Sequence, residues 1–286
     1  MSDLTWAEPQ SPVEIMSEVI EKYRYDRFYV LFSGGKDSVC VADFIARNYP
    51  KRFAGIVFTN TGLGARDTRK FVVDYARQRK WKIHMTWASE KERFYNIVMK
   101  YGFAFPGNHS MWMGYLKMHT WYYFLHPKIK AGENACFISG VRKKESRARN
   151  KVKKYTRKPL DFNSGLPYVK PFLYKNGEQI WEYFNEQDLE KTPVYEWLNR
   201  SGECYCGAHA EEWDLKLMEK YDPLAFKTIR WLESEIQRVG SETAKKYCKW
   251  GYKSSTRDIE DQTILSDFFG KNIEVNEDYC GESCMV

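Results

Sequence analysis

The segment Ser33 to Ser38, with the sequence SGGKDS, carries the residue types that bind phosphate. Its two glycines allow a ligand to approach the backbone closely, its lysine is positively charged, and its serine hydroxyls donate hydrogen bonds. Each charge-assisted bond to a phosphate oxygen would contribute about 1.5–3 kcal/mol. The segment lies between an apolar run at 27–32 and residues with helical spacing, so a helix N-terminus would add backbone donors. A glycine-rich turn that only joins a strand to a helix is the alternative.

Two later segments also carry residue types that are suited to phosphate chemistry. Asn60, Thr61 and Gly62 end an apolar run, and the segment Ser139 to Arg149 (SGVRKKESRAR) follows another. An arginine placed directly after a buried strand can stabilise the charge that builds on a transferring phosphoryl group. For the first segment the alternative is ordinary turn chemistry, and for the arginines it is a solvated basic face.

The elements that must position these segments follow from the alternation of apolar runs and amphipathic segments. Strands are predicted at 27–32, 54–62, 81–87 and 136–141. Helices are predicted to begin at Ser11-Pro12 and to cover 39–49, 66–80, 91–102, 111–125, 211–221 and 223–239. This alternation is typical of a parallel sheet that is covered on both faces and binds ligands at the carboxyl ends of its strands. We therefore expect an α/β, Rossmann-like, doubly wound and mainly parallel sheet, followed by a mostly helical C-terminal extension.

The three segments together resemble a known family. The glycine spacing of SGGKDS differs from the GxxxxGK[ST] loop of kinases and GTPases and looks like the PP-loop of the ATP pyrophosphatases, the adenine nucleotide alpha hydrolases. Asn60-Thr61-Gly62 matches the position of the Asp/Asn-Thr-Gly turn of that superfamily. The segment from Ser139 is similar to the G-x-R-x-x-x-S-R-x-R pattern of the phosphoadenosine phosphosulfate reductase family. The matching positions there are Gly140, Arg142, Ser146, Arg147 and Arg149.

The resemblance implies that the loop holds the β- and γ-phosphates of ATP while a nucleophile attacks the α-phosphate and pyrophosphate leaves. Mg²⁺ would bridge the phosphates, with Asp37 as a possible ligand. The implied catalytic residues are Lys36, Asp37, Arg142 and Arg147. The implied nucleotide-binding residues are Ser33, Gly34, Gly35, Lys36, Asp37, Ser38, Asn60, Thr61, Gly62, Gly140, Arg142, Ser146 and Arg147.

The domain organisation follows from a change in character along the chain, which from about residue 150 becomes basic, then punctuated by proline and glycine, and then mostly helical in its periodicity. A nucleotide-binding PP-loop domain is predicted over 1–160 and a helical, cysteine-bearing region over 161–286. A single domain with a C-terminal extension agrees equally well with the sequence.

Three functions agree with the resemblance. The first is an ATP pyrophosphatase that adenylates an acceptor oxygen for sulfur transfer to a nucleic acid or a small molecule, with a sulfur donor protein as partner. The second is a sulfonucleotide reductase with Cys280 or Cys284 as nucleophile, although such reductases usually lack the lysine of the loop. Their nucleophile normally lies in a Glu-Cys-Gly-Leu-His context, which the final residues YCGESCMV match only at Cys280-Gly281. The third is a nucleotide-binding module without turnover.

The seven cysteines divide into two groups. Three of them are scattered among apolar or helical residues and are predicted to be structural: Cys40, Cys136 and Cys248. The other four form two close pairs, Cys204 with Cys206 and Cys280 with Cys284. Four thiolates can hold a [4Fe–4S] cluster or a zinc ion, and His209 is an alternative ligand or a helix cap. Two unrelated pairs of thiols are the alternative.

The charge is also unevenly distributed. The chain has 45 basic and 38 acidic residues, a net charge of +7. Ten basic residues and one acid, Glu145, occupy the run from Arg142 to Lys158, so that run predicts a nucleic-acid contact. Tyr155, Phe162 and Tyr168 are candidates for base stacking. A solvated face is the alternative.

The aromatic-rich segment 109–126, the 109–126 stripe, has apolar residues at helical spacing. These residues are predicted to belong to the core. The alternative is a substrate pocket beside the sheet, with His109 and His119 as its acid–base candidates.

The sequence also allows a prediction of the cellular location. No apolar run approaches the roughly 18 residues that a membrane span needs. The start of the sequence lacks a basic segment followed by an apolar one, so a cytoplasmic location is expected. An oligomer is compatible with the sequence.

Overall fold

The core element is a six-stranded sheet with the strand order β3-β2-β1-β4-β6-β5. The structure is a computed structural model that describes residues 10–143, 159–163 and 165–252. The strands are β1 (Arg27–Leu31), β2 (Phe53–Asn60), β3 (Ile83–Trp87), β4 (Ala135–Ile138), β5 (Leu160–Asn163) and β6 (Leu166–Val169). All neighbouring strands are parallel except β5 and β6, which form an antiparallel hairpin.

Helices follow most of the strands. The N-terminal half has α1 (Pro12–Tyr23), α2 (Lys36–Asn48), α3 (Arg66–Gln78), α4 (Phe94–Tyr101), α5 (His109–Met113) and α6 (His119–Lys130). The C-terminal half has α7 (Gly177–Glu186), α8 (Tyr195–Leu198), α9 (Asp214–Tyr221), α10 (Pro223–Val239) and α11 (Glu242–Lys246). Short 3₁₀ turns lie at Glu90–Glu92 and Pro106–Asn108. A π-helical turn, Gly114–Met118, joins α5 to α6.

Alternation along β1 explains why the sheet is covered on both faces. Phe28 and Val30 point into a core shared with α1, α2, α3 and α7. Tyr29 and Leu31 point into a second core built mainly with α6. Both sets of side chains are almost completely buried, so the strand is buried on both faces from Phe28 onward, as expected for a parallel sheet between two helical layers. The predicted α/β, doubly wound fold with its helical C-terminal extension is confirmed.

The start of α1 illustrates how local sequence determines an element boundary. The Ser11 hydroxyl accepts a hydrogen bond from the Glu14 N–H, and the Glu14 carboxylate accepts one from the Ser11 N–H. Pro12 occupies the first helical turn, where its missing N–H costs nothing. This reciprocal cap satisfies two donors, so the predicted helix start is confirmed.

The β5–β6 hairpin was not predicted from the sequence, since the last strand predicted there covers 136–141. The structure places β6 beside β4, with Phe137 opposite Tyr168 and Ile138 opposite Val169. Each of the two strands has only four residues, and Pro167 lies within β6. The sequences of such short strands give little indication of β structure, and the strands depend on a neighbouring strand for their formation. The sheet therefore continues past residue 160, while the division into two domains stays a prediction.

The C-terminal half packs back onto the ends of the central strands. The Thr192 N–H donates to Gly34 O at 3.0 Å, and the Ala65 N–H donates to Gly202 O at 2.8 Å. A third core joins α4 and α5 to α9, α10 and α11. These contacts place the segment from 192 to 207, the crossing segment, over the loops that follow β1 and β2.

None of the helices in residues 10–143 and 159–252 combines the length and the apolar character required to cross a membrane.

The close approach of the crossing segment gives a testable prediction at Gly64. A Cβ there would lie 2.2 Å from Glu203 O, so the backbone of one segment would have to move. We expect Gly64→Ala to lower the free energy of unfolding by about 1–3 kcal/mol, the usual cost of overpacking. Gly177→Ala is the matched control, because a Cβ at Gly177 meets nothing within 4 Å. Urea denaturation of both variants measures the difference, and equal midpoints would contradict the packing described here.

Candidate functional site

The Ser33 to Ser38 loop leaves β1 and enters α2 through a small network of hydroxyl groups. The Ser38 hydroxyl donates to Gly35 O at 2.8 Å and accepts from the Ser33 N–H at 3.2 Å. The Ser33 hydroxyl accepts from the Gly35 N–H at 3.3 Å. Gly34 has a φ of +79°, a left-handed backbone conformation that residues other than glycine rarely adopt. Both serines therefore shape the loop from within.

The N-terminus of α2 presents backbone donors beyond this loop. The helical hydrogen bonds begin with the Val39 N–H, which donates to Gly35 O at 3.0 Å. The N–H groups of Lys36, Asp37 and Ser38 precede that bond, and no side chain caps the helix. Because α2 has 13 residues, its N-terminus is a favourable location for an anion.

Asp37 brings together two of the predicted catalytic residues. Its carboxylate accepts a hydrogen bond from Lys36 Nζ at 2.6 Å on one oxygen and from Arg142 Nε at 2.6 Å on the other. The three side chains are only 8–15% exposed. Gly140 permits this contact between the end of β4 and the start of α2, since a Cβ there would lie 2.8 Å from Asp37 O. The site therefore holds two cations and one anion in a largely desolvated position.

Residues from the C-terminal half complete the surroundings of the loop. Lys36 Nζ lies 5.8 Å from the centre of the Trp181 ring, and Lys191 Nζ lies 5.7 Å from the same ring. The Tyr195 ring would be 3.7 Å from a Cβ at Gly35. The sequence analysis missed Trp181, Lys191 and Tyr195, because they are far from the loop in sequence and belong to no recognisable motif.

The second predicted turn lies at the end of β2. The Asn60 side chain accepts a hydrogen bond from the Gly62 N–H at 3.0 Å, and Gly62 has a φ of +88°. This geometry is an Asx-type turn. The Thr61 hydroxyl donates to Glu203 O at 3.1 Å, so the crossing segment is fastened directly to the turn.

A cavity of about 110 Å³ lies beside this turn. Its walls come from α5, the π-helical turn, the crossing segment and the residues that follow that segment. The lining includes His109, Trp112, Lys117, Glu203, Cys204, Cys206, His209 and Trp250. Both cysteines of the 204–206 pair thus face the same small space, and each is partly exposed.

The two thiols of this pair influence each other's ionisation. Hydrogen bonding with Cys204, with contributions from the His109 side chain and the Ala208 N–H, holds the pKa of Cys206 well below its usual value despite burial. The same hydrogen bonding with Cys206, reinforced by burial, raises the pKa of Cys204. The His109 and His209 rings meet edge to face with centroids 4.7 Å apart.

A buried ion pair forms one wall of the cavity. Lys117 Nζ lies 2.5 Å from the Glu203 carboxylate, and both side chains are at most 6% exposed. Burial, the largest single influence, would lower the pKa of Lys117, but attraction and hydrogen bonding to Glu203 together with the influence of Cys204 and Cys206 outweigh it, so the pKa is raised. Lys117 lies in the π-helical turn, a distortion that is frequent at functional sites.

Several predicted site residues lie outside the described residues. They are Ser146, Arg147, Arg149, Cys280 and Cys284, together with most of the Arg142 to Lys158 run and Tyr155. Among the described residues, no group of three or more His, Cys, Asp or Glu side chains is arranged to hold a metal ion. The four-thiolate metal site therefore stays a prediction.

Other predictions can be compared directly with the structure. Cys40, Cys136 and Cys248 are buried, as expected of structural cysteines. Tyr168 was expected to stack on bases, but this was wrong because the ring is 4% exposed and packs on Phe137 in the second core. Phe162 is exposed.

The two histidines of the 109–126 stripe separate in the structure. His109 is buried and lines the cavity. His119 instead pairs with Glu92 at 2.6 Å, with its side chain 46% exposed. His209 precedes the start of α9 by several residues, so it does not cap that helix.

Comparison with solved structures yields proteins of low sequence identity. A phosphoadenylyl-sulfate reductase from Candida auris is 15% identical with a TM-score of 0.46, over 67% of this chain and 86% of that one. A yeast FAD synthetase is 12% identical with a TM-score of 0.40, over 64% of this chain and 59% of that one. An FMN adenylyltransferase from Candida glabrata is 11% identical with a TM-score of 0.38, over 68% and 63%.

Comparison with protein sequences gives a different result. No curated protein matches the sequence significantly. A family model does match, that of the phosphoadenosine phosphosulfate reductase domain, over residues 27–207. The match includes the Ser33 to Ser38 loop, the turn after β2, Arg142 and the 204–206 cysteine pair, and it covers more than half of the sequence. The chain therefore belongs to the phosphoadenosine phosphosulfate reductase domain family.

Proposed function

We propose that the protein is an ATP pyrophosphatase that adenylates an acceptor oxygen and releases pyrophosphate. The observation that carries this proposal is the position of Lys36 and Arg142, which meet on Asp37 at the uncapped N-terminus of α2. Two desolvated cations and a row of backbone donors are complementary to a polyphosphate. The complete loop sequence, including its lysine, favours ATP over a nucleotide that already carries sulfate.

The residues of the loop have distinct roles in this proposal. The N–H groups of the first turn of α2 and Lys36 Nζ bind the β- and γ-phosphates, while the two glycines let the phosphates approach the backbone. The acceptor oxygen attacks the α-phosphorus, the bond from that phosphorus to the β-bridging oxygen breaks, and pyrophosphate carries the displaced charge. Arg142 stabilises that charge as it develops. Arg147 is proposed to assist from the continuation of the same segment.

Asp37 acts as a counter-ion in this proposal. Its carboxylate keeps Lys36 and Arg142 close together before the nucleotide arrives, which reduces the reorganisation needed on binding. Bound Mg²⁺ would neutralise phosphate charge. Asp37 is the proposed metal ligand, and its oxygens would then have to be shared with the two cations that they already contact.

The proposal also includes the acceptor and the reaction that follows its adenylation. The cavity with Cys204 and Cys206 lies directly beside the turn after β2, which supports a role for sulfur near the nucleotide. We propose sulfur transfer to the activated oxygen site of a nucleic acid or a small molecule, from a sulfur donor protein. The basic run that begins at Arg142 supports a nucleic acid.

A sulfonucleotide reductase is the second candidate, because the family model is that of the phosphoadenosine phosphosulfate reductase domain. Such an enzyme releases sulfite and needs no pyrophosphate to leave. The intact lysine of the loop favours the first candidate.

Loss of the loop lysine is expected to weaken ATP binding. Lys36→Ala removes a charge-assisted contact, so the Kd of a non-hydrolysable ATP analogue should rise roughly 10- to 150-fold. Isothermal titration calorimetry measures the change. Lys70→Ala is the control, because the Lys70 side chain is 79% exposed on α3 and pairs with the exposed Asp74. Equal affinity of the Lys36 variant and the unsubstituted protein would refute binding at the loop.

Loss of Arg142 is expected to act on the chemical step. Arg142→Ala should lower kcat for formation of AMP and pyrophosphate by about 10²–10³ with a smaller change in KM, because charge on the leaving group loses its partner. The reaction is followed with ATP and candidate RNA, DNA and small-molecule acceptors. Arg77→Ala is the control, since the Arg77 side chain is 76% exposed. If no acceptor leads to AMP and pyrophosphate, the proposed activity is wrong.

The reductase alternative has its own test. With phosphoadenosine phosphosulfate and a thiol reductant, we expect no release of sulfite by the full chain. Release of sulfite that disappears in the Cys280→Ser variant would favour the reductase instead.

A further inference from the structure

Lys191 is a cation beside the Ser33 to Ser38 loop that belongs to none of the segments on which the proposed chemistry rests. Its Nζ lies 5.7 Å from the centre of the Trp181 ring and 5.6 Å from the centre of the Tyr195 ring. Within the described part of the chain, no carboxylate oxygen lies within 4.0 Å of this ammonium group. The charge of Lys191 is therefore not balanced by an adjacent acid, whereas that of Lys36 is balanced by Asp37.

The backbone next to Lys191 is fixed against the loop. The Thr192 N–H donates to Gly34 O at 3.0 Å, and the Thr192 hydroxyl oxygen lies 3.0 Å from that of Thr68 on α3. Thr68 and Thr192 are both completely buried. Because the residue that follows Lys191 is held at two points, the Lys191 side chain starts from a defined position at the edge of the loop.

Trp181 connects this cation to the loop lysine. Lys36 Nζ lies 5.8 Å from the centre of the Trp181 ring, so one indole lies beside both ammonium groups. The helix that carries Trp181, α7, is held on α2 by a hydrogen bond of 2.8 Å from the Tyr183 hydroxyl to the Asp43 carboxylate. Trp181 is 37% exposed, so a dissolved ligand can reach the ring and the cations beside it.

The charges of the loop leave room for a further cation. Lys36 and Arg142 share the carboxylate of Asp37, so these three side chains together carry a single net positive charge. A polyphosphate carries several negative charges, and each of its terminal oxygens accepts charge-assisted hydrogen bonds. Lys191 adds a second net positive charge at the same place.

We propose that Lys191 is a further polyphosphate-binding residue of this site and that Trp181 positions its ammonium group. The inference rests on the proposed function, because the ligand is the triphosphate of the nucleotide or the pyrophosphate released from it. Lys191 contacts the terminal phosphates directly. Trp181 acts through Lys191, since an ammonium group is attracted to the face of an indole ring.

The assignment has a consequence for the selectivity of the site. AMP has no terminal phosphates, so Lys191 contributes nothing to its binding. ATP and pyrophosphate are both held by Lys191. The residue therefore discriminates polyphosphates from the mononucleotide that remains after pyrophosphate has left.

The experiment uses inorganic pyrophosphate, a non-hydrolysable ATP analogue and AMP as probes. Isothermal titration calorimetry of the full chain measures the Kd of each. Lys191→Met keeps the length of the side chain and removes its charge. We expect this variant to raise the Kd of pyrophosphate and of the ATP analogue roughly 10-fold or more, and to leave the Kd of AMP within about twofold. Lys191→Arg keeps the charge and should retain most of the affinity.

Lys22→Met is the matched control. Lys22 also lies beside an aromatic ring, with Nζ 5.3 Å from the centre of the Tyr23 ring. It is near the end of α1, which precedes the start of β1, so it lies at the opposite end of that strand from the loop. This variant should bind all three probes with unchanged affinity.

The role of Trp181 is tested by its coupling to Lys191. Trp181→Ala should raise the Kd of pyrophosphate about two- to fivefold, because the ammonium group loses its aromatic neighbour. Trp181→Phe should largely restore the affinity. In the Lys191→Met background, Trp181→Ala should have a much smaller effect. An equal effect in both backgrounds would overturn the positioning role.

A chemical measurement on the unsubstituted chain keeps the proposal testable if a variant fails to fold, which circular dichroism and urea unfolding establish. The chain is acetylated with acetic anhydride with and without pyrophosphate, and the extent of modification of each lysine is read by mass spectrometry after digestion. We expect pyrophosphate to protect Lys191 and not Lys22. Equal modification of Lys191 with and without pyrophosphate would contradict its contact with the ligand.

The Lys36→Ala variant separates this inference from the proposed function. If Lys36→Ala loses the ATP analogue while Lys191→Met retains it, Lys191 is not a binding residue and the proposed function stands. If Lys191→Met loses pyrophosphate but no acceptor leads to AMP and pyrophosphate, the proposed activity is wrong and the binding role of Lys191 stands. A chain that binds neither pyrophosphate nor the ATP analogue overturns both.

Discussion

The organisation of the cavity and of the turn after β2 depends on the placement of one residue, Glu203. Its carbonyl accepts the Thr61 hydroxyl at the end of β2, and its carboxylate pairs with the buried Lys117 of the π-helical turn. Removing one partner of a buried ion pair typically costs about 3–5 kcal/mol, because the other charge is left without compensation. The crossing segment is therefore fixed against the sheet and against the helix on the far side of the cavity. Cys204, the next residue, takes its position from these contacts.

A second charged group, Asp37, has a comparable role at the Ser33 to Ser38 loop. A lysine and an arginine in a largely desolvated position repel one another, and the carboxylate between them compensates that repulsion. An anionic ligand binds more favourably to such a pre-positioned pair of cations, because the side chains need little rearrangement. The two sites thus follow the same physical rule, in which a buried acid holds one or two cations at the carboxyl end of the sheet.

Sequence reasoning succeeded where the signal is local. The Ser11 cap, the β1 strand and the strand–loop–helix arrangement around Ser33 to Ser38 each depend on neighbouring residues, and each was predicted correctly. The β5–β6 hairpin was missed, because its short strands contain Pro167 and owe their conformation to β4. Tyr168 was misassigned for the same reason, since its burial follows from that pairing.

The sequence by itself determined the fold class, the position of the Ser33 to Ser38 loop and the family of the chain, since these reside in contiguous segments with characteristic spacing. Only the tertiary structure decided which distant residues meet at the Ser33 to Ser38 loop and at the cavity. Trp181 and Lys191 reach the loop from α7 and the connection after it, and His109 reaches Cys206 across the third core. No spacing in the sequence encodes these contacts, because they arise from helices that pack on different faces of one sheet. The meeting of Lys117 with Glu203 is decided in the same way, by the packing of the crossing segment over the strand ends.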